Sequence, residues 1–571
     1  MTDYRISKNK ADNLHFKKIK LISCLIKAFV PAALITVFSV FTGCSVEPAK
    51  IQQPEQVRKK EPYIKIGIME TSSPVNFMIN NRSLITSYDG SFIAKGLKKS
   101  VWQAQAKIIS PPVILYLLVA GSMSSYENAE DMVVDLNKRG IPSFILPVKK
   151  KDVFSFEKDG NKKIFRVCLQ KKFYSRQEAA EFQSGIENKI ETFIVKYEAK
   201  KAEGKITLKN IRTGQIFESS NPVYIKGSSV KIFNVPVGKG FHWESSETRT
   251  YPEKISLQLD SSGRLVVINI LPVEEYLKGV LPSEMPDTFP IEALKAQAVA
   301  ARSEALAKIG HAHKQDPYDL CADVHCQVYS GLTKKSKHTD RAVKETRGLV
   351  LWNNHKICDA VYSAVCGGHT EDAKNVWGGQ DTEYLKGKYD GPYFLKQKYG
   401  SLQNESNLRK WIDRSPPAFC NSTGSVPSSL NYTKKYFRWE KTVTQDELEK
   451  SVKKTTGQDI GMIKELEVLS RGVSGRIIQM RIWGTKGSVL LNRELKIRKA
   501  LSGTTLWSSC FYVEPGYTVS GIPQTFKFKG AGFGHGVGMC QTGAAMMAIK
   551  GASFIQILNH YYQGSRLKRL Y

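Results

Sequence analysis

The chain has 571 residues, and at about 150 residues per domain that length predicts two to four domains. It is 41% hydrophobic and 24% charged, with glycine and proline near ordinary frequencies, which excludes wholesale disorder, a coiled-coil fibre, collagen and low-complexity classes. Lysine and arginine number 84 against 53 acids, a net charge of +31, and that excess predicts attraction to an anionic polymer: nucleic acid, acidic lipid or anionic cell-wall glycan.

Residues 1–27 carry Arg5, Lys8, Lys10, Lys17, Lys18, Lys20 and Lys27 against Asp3 and Asp12. An apolar run over 28–41 follows, then Thr42-Gly43-Cys44. A basic segment, a short apolar segment and a small-residue site make an export signal, and the run falls short of the roughly 20 residues of a bilayer-spanning helix. Phe41-Thr42-Gly43-Cys44 also resembles the lipobox of bacterial lipoproteins, with Phe41 where Leu is usual. That resemblance implies a leader over 1–44 and lipidation at Cys44; a non-cleaved anchor is the other reading. Either places the bulk of the chain at the cell envelope, on the periplasmic or extracytoplasmic face, and removes nucleic acid as a partner. Residues 45–62, polar and proline-punctuated, read as a tether.

Residues 63–112 read as short strands, beginning at 63–69, broken at Asn80-Asn81 and Asp89-Gly90 and ended by Pro111-Pro112. The pattern then changes. Strands at 113–120, 141–148, 163–169 and around 194–195 alternate with helices at 124–139 and 175–190, a strand-helix-strand unit used twice with a period of about 50 residues. In each copy a serine precedes an acidic first turn, which suits a helix N-cap. The doubled unit, 113–197, resembles the SPOR domain, a small ferredoxin-like α/β sheet, and that implies binding to septal peptidoglycan glycan strands stripped of stem peptides. An ordinary ferredoxin-like packing module is the alternative.

From 204 to 270 the chain is β-rich, with a hairpin turn at Asp260-Ser261-Ser262-Gly263. Residues 400–430 read as a polar loop, 438–442 and 475–483 as strands, 445–454 as a helix and 489–498 as one more strand. Helices at 543–550 and 553–562 close the chain. The fold class is α+β: a β-rich domain with packed helices over 204–571, its first strands at 63–112, with the 113–197 unit as an insertion.

The most informative stretch is 271–308. A short helix is predicted at 274–280, then a loop Pro282-Ser283-Glu284-Met285-Pro286, then a helix from Pro290 capped by Thr288 or Asp287. Its apolar face runs Ile291, Leu294, Ala298, Ala301, Ala305 and Ile309, interrupted by Arg302, which needs an acid or an anionic ligand if buried. Glu284 lies beside Leu281 and Met285. An apolar wall raises a carboxylate pKa, as a general acid requires, although on spacing alone a solvent-facing loop glutamate is the more ordinary reading.

The Pro-Ser-Glu-Met-Pro segment followed by Glu292-Ala-Leu-Lys-Ala-Gln-Ala-Val-Ala-Ala-Arg302 resembles the stage II sporulation protein D family, which includes the amidase enhancer branch. So do Gly240-Phe241-His242-Trp243, Gly367-Gly368-His369-Thr370-Glu371, Val376-Trp377-Gly378-Gly379 and the terminal 530–541 stretch from Gly530 through His535 to Gln541. The resemblance implies a peptidoglycan lytic transglycosylase that cuts MurNAc–GlcNAc bonds in strands lacking stem peptides, with Glu284 as the catalytic residue. Glu284 would protonate the glycosidic oxygen, then take the proton of the muramic C6 hydroxyl as a 1,6-anhydro ring closes. A hydrolase would need a second carboxylate, and Asp287, Asp319, Asp323, Glu371 and Asp372 are available. Arg302 belongs on the substrate's lactyl carboxylate or on a structural acid, and Lys295, Gln297, His535 and Gln541 are further substrate-side candidates. The alternative function is a non-catalytic peptidoglycan-binding activator of an N-acetylmuramoyl-L-alanine amidase. A structural polysaccharide-binding module is a third reading. The partners implied are glycan strands, the membrane through a lipid anchor, and an amidase or the division machinery.

His311, His313, Cys321, His325 and Cys326 lie within a short stretch, and thiolates with imidazoles suit tetrahedral zinc. Sporulation-type relatives bind zinc near this place with two Cys and two His, which implies His313, Cys321, His325 and Cys326 as ligands of a structural zinc, with Cys366 and His369 as rivals. A Cys326–Cys366 or Cys321–Cys366 disulfide and free thiols are the competing states. The glycines around His535 suggest tight turns and close backbone approach to a sugar, or a turn-rich structural closure.

Overall fold

The computed structural model describes residues 60–149, 163–392, 399–424, 426–517 and 521–571. The export leader, Cys44 and nearly all of the tether lie outside the described residues. Among the described residues, no helix is long and apolar enough to cross a membrane.

Two antiparallel-rich sheets build the frame, in a mixed α+β fold. The first has seven strands in the order Leu320–Cys321, Tyr63–Thr71, Leu265–Pro272, Lys254–Leu259, Val223–Lys226, Ser83–Ser87 and Phe92–Gly96. The second has six: Ile216–Ser219, Glu203–Asn210, Ser100–Ser110, Val75–Ile79, Val230–Val237 and Ser245–Tyr251. The strands before 113 therefore complete sheets whose other members come after 200. Alternation drives this: Ile64, Ile66 and Ile68 of the first strand, and Val75, Phe77 and Ile79 of the next, point into one shared core.

The strand Leu265–Pro272 is locked by Tyr63–Thr71 in the register Tyr63↔Pro272 and runs straight into the helix Val273–Glu284. The helix extends beyond its predicted end. Pro282 sits in its last turn, where a missing N–H removes a single bond, and Glu284 is its final residue rather than a loop residue. The next helix, Ile291–Lys308, starts on Pro290 with no side-chain cap, so neither Thr288 nor Asp287 caps it. It is enclosed by the helices Val273–Glu284, Lys337–Glu345, Gln541–Ile549 and Phe554–Tyr561. Its alanines let these neighbours approach closely, and its polar residues Gln297, Arg302, Ser303 and Glu304 are buried with them.

A second core over 439–528 lies between three-stranded sheets and the helices Gln445–Thr456 and Glu494–Ala500. The segment read as a strand at 489–498 is a short strand, Ser488–Asn492, followed by that second helix. The polar stretch 400–430 holds the helix Glu405–Asp413, which buries only Leu408, Trp411 and Ile412 and is capped by Asn404.

Residues 113–200 form a four-stranded antiparallel sheet in the order Ser143–Lys149, Lys163–Phe173, Val113–Met123 and Phe193–Lys200, with helices Tyr126–Lys138 and Arg176–Ile186. Ser125 and Ser175 cap the two helices, the second through a capping box with Glu178. The unit has its own small cores, built from Leu115, Leu117, Val119 and Cys168 on one side and Leu118, Leu169, Phe173 and Ala179 on the other. The strands that flank it, Ser100–Ser110 and Glu203–Asn210, pair with each other, Glu203 opposite Ser110.

Candidate functional site

Glu284 ends its helix where the loop after Cys326 crosses. The Val328 N–H donates to Glu284 Oε1 at 2.6 Å, and behind the helix the Ser283 and Ser330 hydroxyls meet at 2.7 Å. The residue is half-buried, with its carboxyl end packed inward. Burial raises its pKa from 4.5 to about 7; the Val328 bond opposes the rise, the charge of Glu304 adds to it, and Lys308 and Lys334 moderate it. Glu304 is itself buried, paired with Lys308 at 2.5 Å and receiving the Gln327 amide at 2.7 Å, so it sits behind Glu284 as a structural acid.

The predicted neighbours separate into two groups. Gln297 and Gln541 do reach this point from below: the Gln541 amide donates to the Glu284 carbonyl at 3.0 Å and to Gln297 Oε1 at 3.4 Å. They hold the backbone that carries the acid. Arg302 and Lys295 do not face it. Arg302 is fully buried and donates to both carboxylate oxygens of Glu274 at 2.9 and 2.7 Å, so the structural acid, not a substrate carboxylate, is its partner. Lys295 is paired with Glu292 at 2.9 Å and Glu345 at 2.7 Å.

None of the carboxylates offered as a second catalytic group stands free beside Glu284. Glu371 accepts from Asp372 N, Asn375, Val473 N, Ser474 N and the Ser474 hydroxyl. Asp372 accepts from Gly387 N, Asp319 from Lys65 N, and Asp323 from Gly238 N, Lys239 N and Val324 N. Asp287 is exposed, and its carbonyl faces His338.

His535 is positioned by the glycine-rich turn over buried Arg476, whose guanidinium donates to the carbonyls of Cys366 and Gly534. Gly538 shows why no other residue fits: its φ is +69°, and a Cβ there would collide with the Val361 carbonyl oxygen. His535 Nδ1 accepts from Val537 N at 3.0 Å, which leaves the other ring nitrogen to donate to the Tyr362 carbonyl. Burial, then the charges of Arg476 and Arg498, push its pKa down to about 3, so the imidazole is neutral at physiological pH. Its ring lies 4.9 Å from that of Trp377, which is exposed. The Tyr362 hydroxyl in turn accepts from the Gln327 amide at 3.2 Å, the same amide that donates to Glu304.

The ligand atoms of His313, Cys321, His325 and Cys326 lie within 4.8 Å of one another. His313 Nδ1 is held by Asp316 at 2.7 Å, which turns Nε2 toward Cys326 Sγ at 3.3 Å, the orientation that a carboxylate behind a metal-bound histidine imposes. The Cys326 thiol, with His313 and His325, holds the Cys321 sulfur well below the ordinary thiol range against the effect of burial. Two thiols and two imidazoles so arranged fit a tetrahedral metal. The rivals do not join them. Cys366 lies with Cys420, their sulfurs 3.5 Å apart, so neither disulfide proposed for it forms, and His369 faces the Thr370 carbonyl. The loop that carries this cluster also delivers Val328 N–H to Glu284, while Asp323 fixes the start of the Gly238–Trp243 turn with its exposed Trp243.

Two clefts of about 510 and 450 Å³ lie elsewhere. One is bordered by Lys278, Lys337, Lys344 and Arg347, the other by Leu169, Lys171, Phe182 and Ile186.

The stage II sporulation protein family matches residues 261–352, the stretch that holds the Glu284 helix, the long helix and the metal-capable loop. A domain of unknown function, DUF8618, matches 371–538. An uncharacterized protein of Brachyspira hyodysenteriae is 31% identical over 300 residues, 52% of this chain and 67% of that one. The chain belongs to the family of stage II sporulation protein D and the amidase enhancer. The Bacillus subtilis amidase enhancer is 30% identical over 299 residues, 51% of this chain but 40% of the enhancer's own length. Stage II sporulation protein D of the same organism is 29% identical over 313 residues, covering 52% of this chain and 74% of that one.

Sequence reasoning missed Glu304 and Tyr362 near Glu284, and Glu274 as the buried acid that pairs with Arg302. Each lies outside the motifs, and their signal is the need of Arg302, Lys308 and Gln327 for buried partners.

Proposed function

We propose that this chain acts on peptidoglycan at the cell envelope and that Glu284 is the proton donor of a lytic transglycosylase. The observation that carries the reading is a half-buried Glu284 with pKa about 7, hydrogen-bonded through one oxygen, while the buried Glu304 behind it, whose carboxyl is also raised, is tied to Lys308 and Gln327. Such a group is protonated in part at neutral pH and donates to a glycosidic oxygen. As a carboxylate it then accepts the C6 hydroxyl proton, the C6 oxygen bonds to the anomeric carbon, and a 1,6-anhydro end forms without water. The exposed Trp377, packed against the neutral His535 ring, supplies an aromatic contact suited to a sugar ring.

The His313, Cys321, His325 and Cys326 set would hold a structural zinc, which supplies rigidity to the loop rather than an activated water. The 113–197 unit, with its strand order and doubled pattern, is read as a ferredoxin-like SPOR-type module that holds denuded glycan. Export and lipidation at Cys44 complete the placement.

A second reading has its own support. The similarity to the amidase enhancer, together with the closure of Arg302 and Lys295 into structural ion pairs, favours a wall-bound activator of an amidase. Digestion of purified strands lacking stem peptides, read by mass spectrometry, decides. Anhydro-ended products that vanish in Glu284→Gln support cleavage. Intact strands, with faster stem-peptide release when an amidase is added to whole sacculi, support activation instead.

A further inference from the structure

A second group of acidic and soft ligands lies on the other side of the glycine-rich turn. Cys366, Asp390, Cys420 and Cys540 come from four separate segments, yet their ligand atoms all lie within 4.8 Å of one another, and all four residues are buried. Cys366 Sγ is 3.5 Å from Cys420 Sγ and 3.0 Å from Asp390 Oδ2.

The surroundings are those of a prepared site. Asp390 Oδ1 receives His560 Nε2 at 3.1 Å and the Tyr561 hydroxyl at 2.9 Å, so its other oxygen is left to face the sulfurs. Main-chain N–H groups point at sulfur: Cys366 N and Gly543 N to Cys540 Sγ at 3.2 and 3.4 Å, and Gly368 N to Cys366 Sγ at 3.4 Å. Such bonds stabilise ligands that carry negative charge, and partners behind the ligands fix their orientation. Gly543 leaves the space open, because a Cβ there would lie 2.8 Å from Asp390 Oδ2 and collide with the Tyr561 hydroxyl.

Electrostatics and size select the occupant. A cation bound there would take the three sulfurs as thiolates, releasing their protons, and would balance their charge and that of Asp390. Around one tetrahedral zinc, with Zn–S near 2.3 Å and Zn–O near 2.1 Å, ligand atoms lie about 3.5–3.8 Å apart, which this set reaches with small adjustments. The spacing leaves room for a single ion and not for a multi-iron core. We propose that Cys366, Asp390, Cys420 and Cys540 bind one zinc ion, at a second site separate from the His313 cluster. The ion would fasten the 366, 390 and 420 loops to the start of the helix Gln541–Ile549, next to the residue that holds the Glu284 carbonyl.

Full-length protein purified with reductant and zinc, then measured by plasma mass spectrometry, is expected to hold two zinc equivalents per chain. Cys321→Ser removes one, and Cys420→Ala removes the other. Cobalt loaded into the Cys321→Ser variant gives a second readout that needs no change at the new site: intense thiolate-to-cobalt charge transfer and tetrahedral visible bands are expected. A single equivalent that disappears with Cys321→Ser overturns the proposal. So does a Cys366–Cys420 linked peptide in a non-reducing digest of protein that never met reductant, or a cobalt spectrum of the Cys321→Ser variant without thiolate bands.

Discussion

Replacing Glu284 by Gln removes the charge and keeps an oxygen for the Val328 N–H. The folded chain holds a proton on Glu284 up to about pH 7, while the unfolded chain releases it near 4.5. Between those values the native state binds more protons than the unfolded one, so stability falls as pH rises, and above about 7 the loss is complete. At ~1.36 kcal/mol per pH unit, the penalty carried by the wild type at pH 8 is on the order of 3 kcal/mol. Glu284→Gln escapes it. The variant is therefore expected to melt higher than the wild type at pH 8 and at nearly the same temperature at pH 4. Paired thermal melts across that range, read by tryptophan fluorescence, test this directly. Strand cleavage by the wild type should fall above about pH 7, as the acid form is lost. A melting difference that stays constant from pH 4 to pH 8, or a wild type that is the more stable at pH 8, would refute the idea that burial sets this carboxyl's state.

Arg302→Met strands Glu274 in the core and is expected to lower stability by about 3–5 kcal/mol, while the double variant with Glu274→Gln recovers much of it, read by denaturant midpoints. Gly538→Ala must adopt a positive φ against the Val361 carbonyl, and a loss of about 2 kcal/mol or more in melting experiments is expected. His535 is neutral throughout pH 5–8, so His535→Gln should lower strand cleavage without moving the fall above about pH 7; a moved limb would assign that titration to the histidine. Chelation that strips metal from the His313 cluster should loosen the Val328 loop and cut cleavage at least about tenfold, as zinc re-addition and turnover assays would record.

Much of this was legible in the chain itself. β-Branched runs and turn residues located most strands of both sheets, though not Ile216–Ser219, Ser245–Tyr251 or Leu320–Cys321, and serines before acidic turns located both helices of the 113–200 unit. The metal-capable set was readable because its members lie close in sequence. What escaped was whatever depends on distant chain. The Glu405–Asp413 helix hides in polar composition because three apolar residues suffice to anchor it. Arg302 read as either a substrate contact or the partner of a structural acid because Glu274 lies on another helix, and sequence cannot rank a buried acid against an absent ligand. Glu284 continues its helix past Pro282 because a proline in a last turn removes one bond, whereas the residue type alone suggests a break. Asp390 and Cys420 have no local motif; only the fold brings them to Cys366 and Cys540.

The pairing of Ser110 with Glu203 means that some ninety residues leave and rejoin the frame between neighbouring rungs of one ladder. A cassette held by adjacent stumps can be spliced out and the gap bridged by a tight hairpin, with every remaining strand keeping its register. Chains with and without such a cassette can share one scaffold, and the cassette can change or vanish without disturbing the frame around Glu284.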